Sequence, residues 1–268
     1  MKHVIRITFD ELFSPVLVFR ESGCLGEIRI KPGDKVDLLL ARERRCIGFV
    51  SKGEFKECPR KALVKGKKCA SCNAVDEETP CLKCNGSICL AEEEKRLKCS
   101  EKNYFVYLAA FGGSMLKVGV SRKERRMRRW IEQGADFAVR IADGLDGRTA
   151  RRIEYALTQR GFANALTGKQ KISLLGSDKK RTREELIERL EALRDCFPEF
   201  AEKPAVIELS EYYPKLEHAK PTKALVGKSL GNKGSLLFLE QAGETRIFDL
   251  GMAVGRMVCE EKSLSAYL

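Results

Sequence analysis

The run Tyr104-Phe105-Val106-Tyr107-Leu108-Ala109-Ala110-Phe111-Gly112-Gly113-Ser114-Met115-Leu116-Lys117-Val118-Gly119-Val120 decides how the middle of this 268-residue chain folds. Residues 104–111 are a short, continuous apolar stretch rich in aromatic side chains, which predicts a strand. Gly112-Gly113-Ser114 supplies a tight turn, and residues 115–120 predict the returning strand of a hairpin. Beyond the hairpin, residues 122–133 have helical propensity and stop at Gly134, a residue suited to the left-handed position past a helix end. A second helix is expected over residues 148–160, ending at Gly161. A third opens on the capping box Thr182-Arg183-Glu184-Glu185 and carries Leu186, Ile187, Leu190 and Leu193 on one face. The middle of the chain therefore reads as α+β.

Immediately upstream lies the densest chemical signal. Of eleven cysteines, seven fall between Cys58 and Cys99, as Cys58, Cys69-Ala-Ser-Cys72, Cys81-Leu-Lys-Cys84, Cys89 and Cys99. Two thiolates separated by two residues can both turn toward one tetrahedral ion at about 2.3 Å while nearby amides donate to the sulfurs. Asn73, Asn85 and Gly86 follow the pairs directly and suit the left-handed turn of such a knuckle. Residues 65–85 hold few large apolar side chains, so a metal would serve as their core. Seven ligands do not divide by four, and Cys46 in Arg44-Arg45-Cys46-Ile47 brings the set to eight. Two ions, or one ion held by Cys69, Cys72, Cys81 and Cys84, both satisfy the spacing. Structural zinc is the expected occupant and an iron–sulfur cluster the chemical alternative. A disulfide scaffold is excluded as a reading, because nothing directs secretion and the chain is too long to need such staples. Cys24, Cys196 and Cys259 stand alone in apolar surroundings and read as buried thiols.

Both ends have a different texture. Short strands are expected at 4–9, 16–20, 27–30 and 36–40, and again at 205–209, 223–228, 235–240 and 246–250, separated by Gly, Pro, Asn and Asp turns. The expected organisation is a β-rich unit at 1–50, a zinc-binding segment at 51–100, an α+β domain at 101–200 and a β-rich unit at 201–268. The terminal strands either pack together or flank the middle. Apolar residues at 43% and charged residues at 33% mark a folded chain. No apolar run is long enough to span a bilayer, and the opening Met1-Lys2-His3-Val4-Ile5-Arg6 is broken by charge, so a soluble, cytoplasmic protein is expected.

Fifty lysines and arginines against 38 acids give a net charge of +12, which favours a polyanionic partner through release of its counterions. Arg122, Lys123, Arg125, Arg126, Arg128 and Arg129 lie within eight residues, and spacing puts Arg122, Arg126 and Arg129 on one helical face. Glu132, Asp143 and Asp146 can partly offset their repulsion. A phosphate-facing role is the preferred reading, with Arg122, Arg125, Arg126 and Arg129 as candidate nucleic-acid ligands. The lone Trp130 reads as a core anchor. A protein-docking role, with a zinc cluster beside a basic helix that meets an acidic protein, is a further reading.

Phe105-Val106-Tyr107, then Lys117-Val118-Gly119, then an arginine on one helix and a glutamate on another, resemble the GIY-YIG nuclease domain. More closely, Tyr107-Leu108-Ala109, Leu116-Lys117-Val118-Gly119 and Arg129-Trp130-Ile131-Glu132-Gln133-Gly134-Ala135, preceded by a cysteine-rich region, look like a poorly characterised prokaryotic family. Its members join a zinc-ribbon-like segment to a GIY-YIG-like core. The resemblance covers about residues 46–175. It implies that Tyr107 helps activate water, that Arg129 stabilises charge on phosphate, and that Glu154 holds a divalent cation, magnesium or manganese. Lys117 stands where the second motif has tyrosine, as a phosphate clamp or a partner to Tyr107, and Phe105 replaces the glycine that opens the first motif. These departures favour a module that binds RNA or DNA without cutting it over an active metal-dependent nuclease.

Overall fold

A computed structural model describes residues 1–194, 204–216 and 218–259. The amino-terminal strands are β1 (Lys2–Phe9), β2 (Pro15–Glu21), β3 (Cys24–Arg29) and β4 (Lys35–Leu40), followed by a small hairpin of β5 (Phe49–Ser51) and β6 (Glu54–Lys56). Three short helices follow, α1 (Ala70–Val75), α2 (Thr79–Lys83) and α3 (Glu93–Ser100). The middle runs β7 (Tyr104–Ala110), β8 (Leu116–Arg122), α4 (Arg126–Gln133), β9 (Phe137–Leu145), α5 (Gly147–Thr158), α6 (Gly168–Ser173), α7 (Lys179–Arg194) and β10 (Val206–Glu208). The chain ends with β11 (Lys220–Pro221), β12 (Leu225–Lys233), β13 (Leu236–Gln241), β14 (Glu244–Asp249) and β15 (Met257–Cys259).

These elements pack as two units, Met1–Thr79 with His218–Leu268, and Pro80–Glu217. In the first, strands from both ends of the chain form one nine-stranded sheet in the order β11-β14-β13-β12-β4-β15-β1-β2-β3, antiparallel except for β11 beside β14. The two halves close where Lys2 pairs with Val258, and Cys259 with Leu39. Val4, Leu17, Ile30, Val36, Leu237 and Phe248 share one core, so the sheet curls until residues from both halves face one interior. The expected alternative of terminal strands packing together is the one observed. The boundary between units falls within 51–100, and the two terminal segments belong to a single unit.

The second unit is built on the predicted hairpin. β7 pairs with β8 and with β9, giving a four-stranded antiparallel sheet in the order β10-β9-β7-β8. Alternation along β7 splits its side chains between two faces. Val106, Leu108 and Ala110 meet Ala150, Ile153 and Leu157 of α5 and Leu186, Leu190 and Leu193 of α7. Phe105 and Tyr107 face the other way, onto Trp130 of α4, with ring centroids 6.1 Å from the indole in both cases. Trp130 is a core residue, 1% exposed.

Several local expectations are corrected. The helix begins at Arg126 instead of residue 122, because Arg122 still pairs with Tyr104 as the last residue of β8, and Lys123–Arg125 form a 3-10 turn. Ladder pairing overrides propensity there, so Arg122 does not share a helical face with Arg129. The helix does close on Gly134, at φ 78°. Thr182 is not a cap. The Asp178 carboxylate accepts from the amides of Lys180 and Arg181 one turn earlier, and the Thr182 hydroxyl, inside α7, donates to Asp178 O. Asn73 lies within α1 and not in a knuckle turn. Cys24 is exposed and Cys259 half-buried, contrary to the expectation for both; Cys196 lies outside the described residues.

Candidate functional site

The first CxxC pair is completed from upstream. Arg45 bridges Leu63, and the Cys46 amide donates to Ala62 O at 2.8 Å, which lays the strand carrying Cys46 beside the loop between Cys58 and Cys69. Gly48, at φ 98°, turns the chain into the β5–β6 hairpin; a β-carbon there would lie 2.0 Å from Lys56 O, so no other residue fits without moving backbone. The hairpin delivers Cys58, and Cys69 sits at the N-cap of α1, which carries Cys72 one turn on. The thiols of Cys46, Cys58, Cys69 and Cys72 lie within 4.8 Å of one another, and all four residues are buried.

This donor set fits a tetrahedral metal ion. A metal–sulfur bond of about 2.3 Å places tetrahedral sulfurs about 3.8 Å apart, and Cys58 Sγ lies 3.9 Å from Cys69 Sγ. Outer hydrogen bonds are in place, since the Cys69 amide donates to Cys46 Sγ at 3.2 Å and Arg60 reaches Cys69 Sγ. Without a cation, four thiols this close cannot all ionise. Cys69 is drawn down to about 6, chiefly by the Cys72 amide, while burial and its three neighbours drive Cys72 far up. Sequence reasoning missed the brace beneath the site. Asp76, 2% exposed, forms an ion pair with Lys68 and accepts from the amides of Val50, Glu78 and Thr79, tying α1 to the hairpin. Burial opposes its charge, but Lys68 and these amides hold its pKa below the usual carboxylate value.

Cys81, Cys84, Cys89 and Cys99 belong to the other unit and are all half-buried. Burial raises the Cys81 thiol, and the charges of Cys99, Cys89 and Cys84 add to that against Lys95. The Gly86 amide donates to Cys84 Sγ at 3.4 Å. Cys69 and Cys72 are matched within the first unit by Cys46 and Cys58. Among the described residues, that upstream quartet is the group spaced for a metal ion.

The residues implied by the nuclease resemblance gather around the edge strand β8. Tyr107 is fully buried, and Gln133 Nε2 donates to its hydroxyl at 2.6 Å. Burial raises its pKa, opposed by Arg129 and Gln133 and reinforced by Glu154. Lys117, 9% exposed, donates to Val118 O at 3.0 Å and lies 5.5 Å from the Tyr107 ring centroid. Burial pushes its pKa down to about 8 against the pull of Glu154, with Arg129 and Arg151 assisting. Tyr107, Lys117, Arg129 and Glu154 thus form one electrostatic cluster. Arg151 Nη1 donates to Glu154 Oε2 at 2.5 Å, so the single carboxylate offered to a hard cation is already paired, a poor fit for magnesium or manganese. The basic residues are dispersed. Arg122 ends β8, Arg126 opens α4, and Arg125 and Arg128 both bond to Glu132 at 2.8 Å. No helix among the described residues is long and apolar enough to cross a membrane.

A family model described as "Protein of unknown function (DUF2797)" matches residues 33–255. No curated protein and no solved structure matches the chain.

Proposed function

The chain belongs to the DUF2797 family, and we propose that it is a zinc-containing nucleic-acid-binding protein. One observation carries this reading: the loop closed by the four-thiol site, Arg60-Lys61-Ala62-Leu63-Val64-Lys65-Gly66-Lys67-Lys68, holds five cations and no acid between two metal ligands. Arg60 is engaged with Ser71 and Lys68 with Asp76, whereas Lys61, Lys65 and Lys67 are exposed. A zinc ion at Cys46, Cys58, Cys69 and Cys72 supplies the core that so polar a loop lacks and fixes these lysines as a rigid cationic surface. Phosphates neutralised on it release counterions, which is the main source of affinity in such contacts. Thiolate donors favour zinc over hard cations.

Binding without hydrolysis is the preferred form of the proposal. A tyrosine that activates water must meet water, and Tyr107 is fully buried with its hydroxyl held by Gln133. The convergence of Tyr107, Lys117, Arg129 and Glu154 favours a second reading, a GIY-YIG-type nuclease acting on RNA or DNA. The test is to incubate purified, zinc-loaded protein with labelled RNA and DNA pools in magnesium or manganese, with Glu154→Gln alongside, scoring retention and cleavage. Retention that survives in Glu154→Gln with no cleavage in either protein supports binding; metal-dependent cleavage lost in the variant supports the nuclease; neither retention nor cleavage overturns both.

A further inference from the structure

Where the zinc loop meets the large sheet of the first unit, a groove of about 590 Å³ is lined by Arg42, Arg44, Lys65 and Arg256, with Glu43 and Leu63 completing its walls. Its segments are locked together by backbone bonds. Val64 N donates to Arg44 O at 3.0 Å, and Arg45 N donates to Gly255 O at 2.6 Å, so the Arg44 strand is clamped between the zinc loop and the turn before Arg256. Four cations against one acid already make the groove electropositive. Arg44 and Arg256 go further, because both are half-buried and close enough that Arg44 adds to the burial that lowers the Arg256 pKa.

Neither guanidinium is matched by a carboxylate among the described residues. Among the described residues, Arg44 makes only long bonds to Gly251 O at 3.5 Å and Met252 O at 3.4 Å, the Arg256 side chain forms no hydrogen bond, and Nε of each is buried without a partner. Two partly desolvated like charges side by side are costly unless an anion sits between or above them. Arginine forks match the oxygens of phosphate, and a groove of this volume admits a nucleotide-sized group. From this geometry we infer that the groove is a phosphate-binding site for the backbone of a nucleic acid. Arg44 and Arg256 would form its floor, and Arg42 and Lys65 its exposed rim. The inference rests on the nucleic-acid reading above for the source of the phosphate, though not for the site itself.

Two probes separate those claims, used on the full zinc-loaded chain. The first is a labelled twelve-nucleotide single strand, followed by anisotropy across a salt series. The second is inorganic phosphate, followed by the melting temperature. The rim variant Arg42→Glu with Lys65→Glu alters exposed side chains only and should fold. It should bind the oligonucleotide at least tenfold more weakly and with a salt slope shallower by about one to two, since each phosphate contact on a single strand contributes about 0.7. Arg256→Met should melt higher than wild type in the absence of anions and lose the rise that phosphate produces in wild type. If wild type binds the oligonucleotide but the rim variant matches it in affinity and slope, the groove assignment is overturned while nucleic-acid binding stands. If phosphate raises wild-type melting through Arg256 but no oligonucleotide binds, the site stands as one for small phosphates and the nucleic-acid reading fails.

Discussion

Gly119 stands directly opposite Tyr107 in the β7–β8 ladder, and a β-carbon at position 119 would lie 2.4 Å from the tyrosine hydroxyl. The bare backbone at 119 is what allows the phenol to lie flat across β8, under Trp130 and against Lys117. Gly119→Ala should therefore cost about 1–3 kcal/mol, as overpacking of a filled interior does. Urea denaturation checks this; an unchanged midpoint would mean that Tyr107 moves freely, contrary to its packing.

On the zinc reading, Cys46→Ser should lose bound metal as completely as Cys69→Ser, although Cys46 lies 23 residues from Cys69. Binding of structural zinc is worth on the order of 10 kcal/mol, so the melt of the first unit should fall steeply in both variants. Metal analysis with calorimetry checks the assignment. Zinc retained in Cys46→Ser would break the quartet.

Lys117 gives the stability a signature in alkali. Its folded pKa of about 8 lies below the ordinary value of 10.5, so between those pH values the unfolded chain holds more protons. Below about pH 8 the folded state carries the full burden of a buried ammonium; as pH rises toward 10.5 that burden is lifted and stability climbs. About 3 kcal/mol is the ceiling for this gain. Lys117→Met should be more stable than wild type at pH 7, and the difference should vanish by about pH 10.5. Parallel pH–stability curves would show that Lys117 is not desolvated.

Glu132, 10% exposed, is the anion that holds Arg125 and Arg128. Glu132→Gln should release the Arg125 guanidinium from this pair. If the turn before α4 touches phosphate, oligonucleotide affinity should rise severalfold with a steeper salt slope. Equal affinity and slope would remove that turn from the binding surface.

Local signals were legible in the sequence, and long-range pairing was not. A continuous apolar run located β7, the Gly112-Gly113-Ser114 turn located β8, short runs between turn residues located most terminal strands, and Gly134 marked its helix end. Arg122 was misplaced because its helical propensity is weaker than its ladder pairing with Tyr104, which no local window contains. Thr182 mimicked a cap because Asp178, one turn earlier, offers a better carboxylate. The first CxxC pair announced a metal, but its partners depend on how the Cys46 strand meets Ala62. Asp76 gave no signal at all, since a lone aspartate between Val75 and Glu77 looks like any surface acid.

The seam where Lys2 meets Val258 sets a timetable for the growing chain. The second unit is one unbroken stretch, 80–217, and all its strands have emerged before the first unit can be finished. The Cys46–Cys72 loop is shorter still and can bring its four thiols together early, with only local closure to achieve. The nine-stranded sheet must wait, its amino-terminal strands exposed, until residues 257–259 leave the ribosome and seat between β1 and β4. Premature termination after residue 250 would thus leave the inserted unit and the metal loop able to form, while the central seam of the large sheet stayed open.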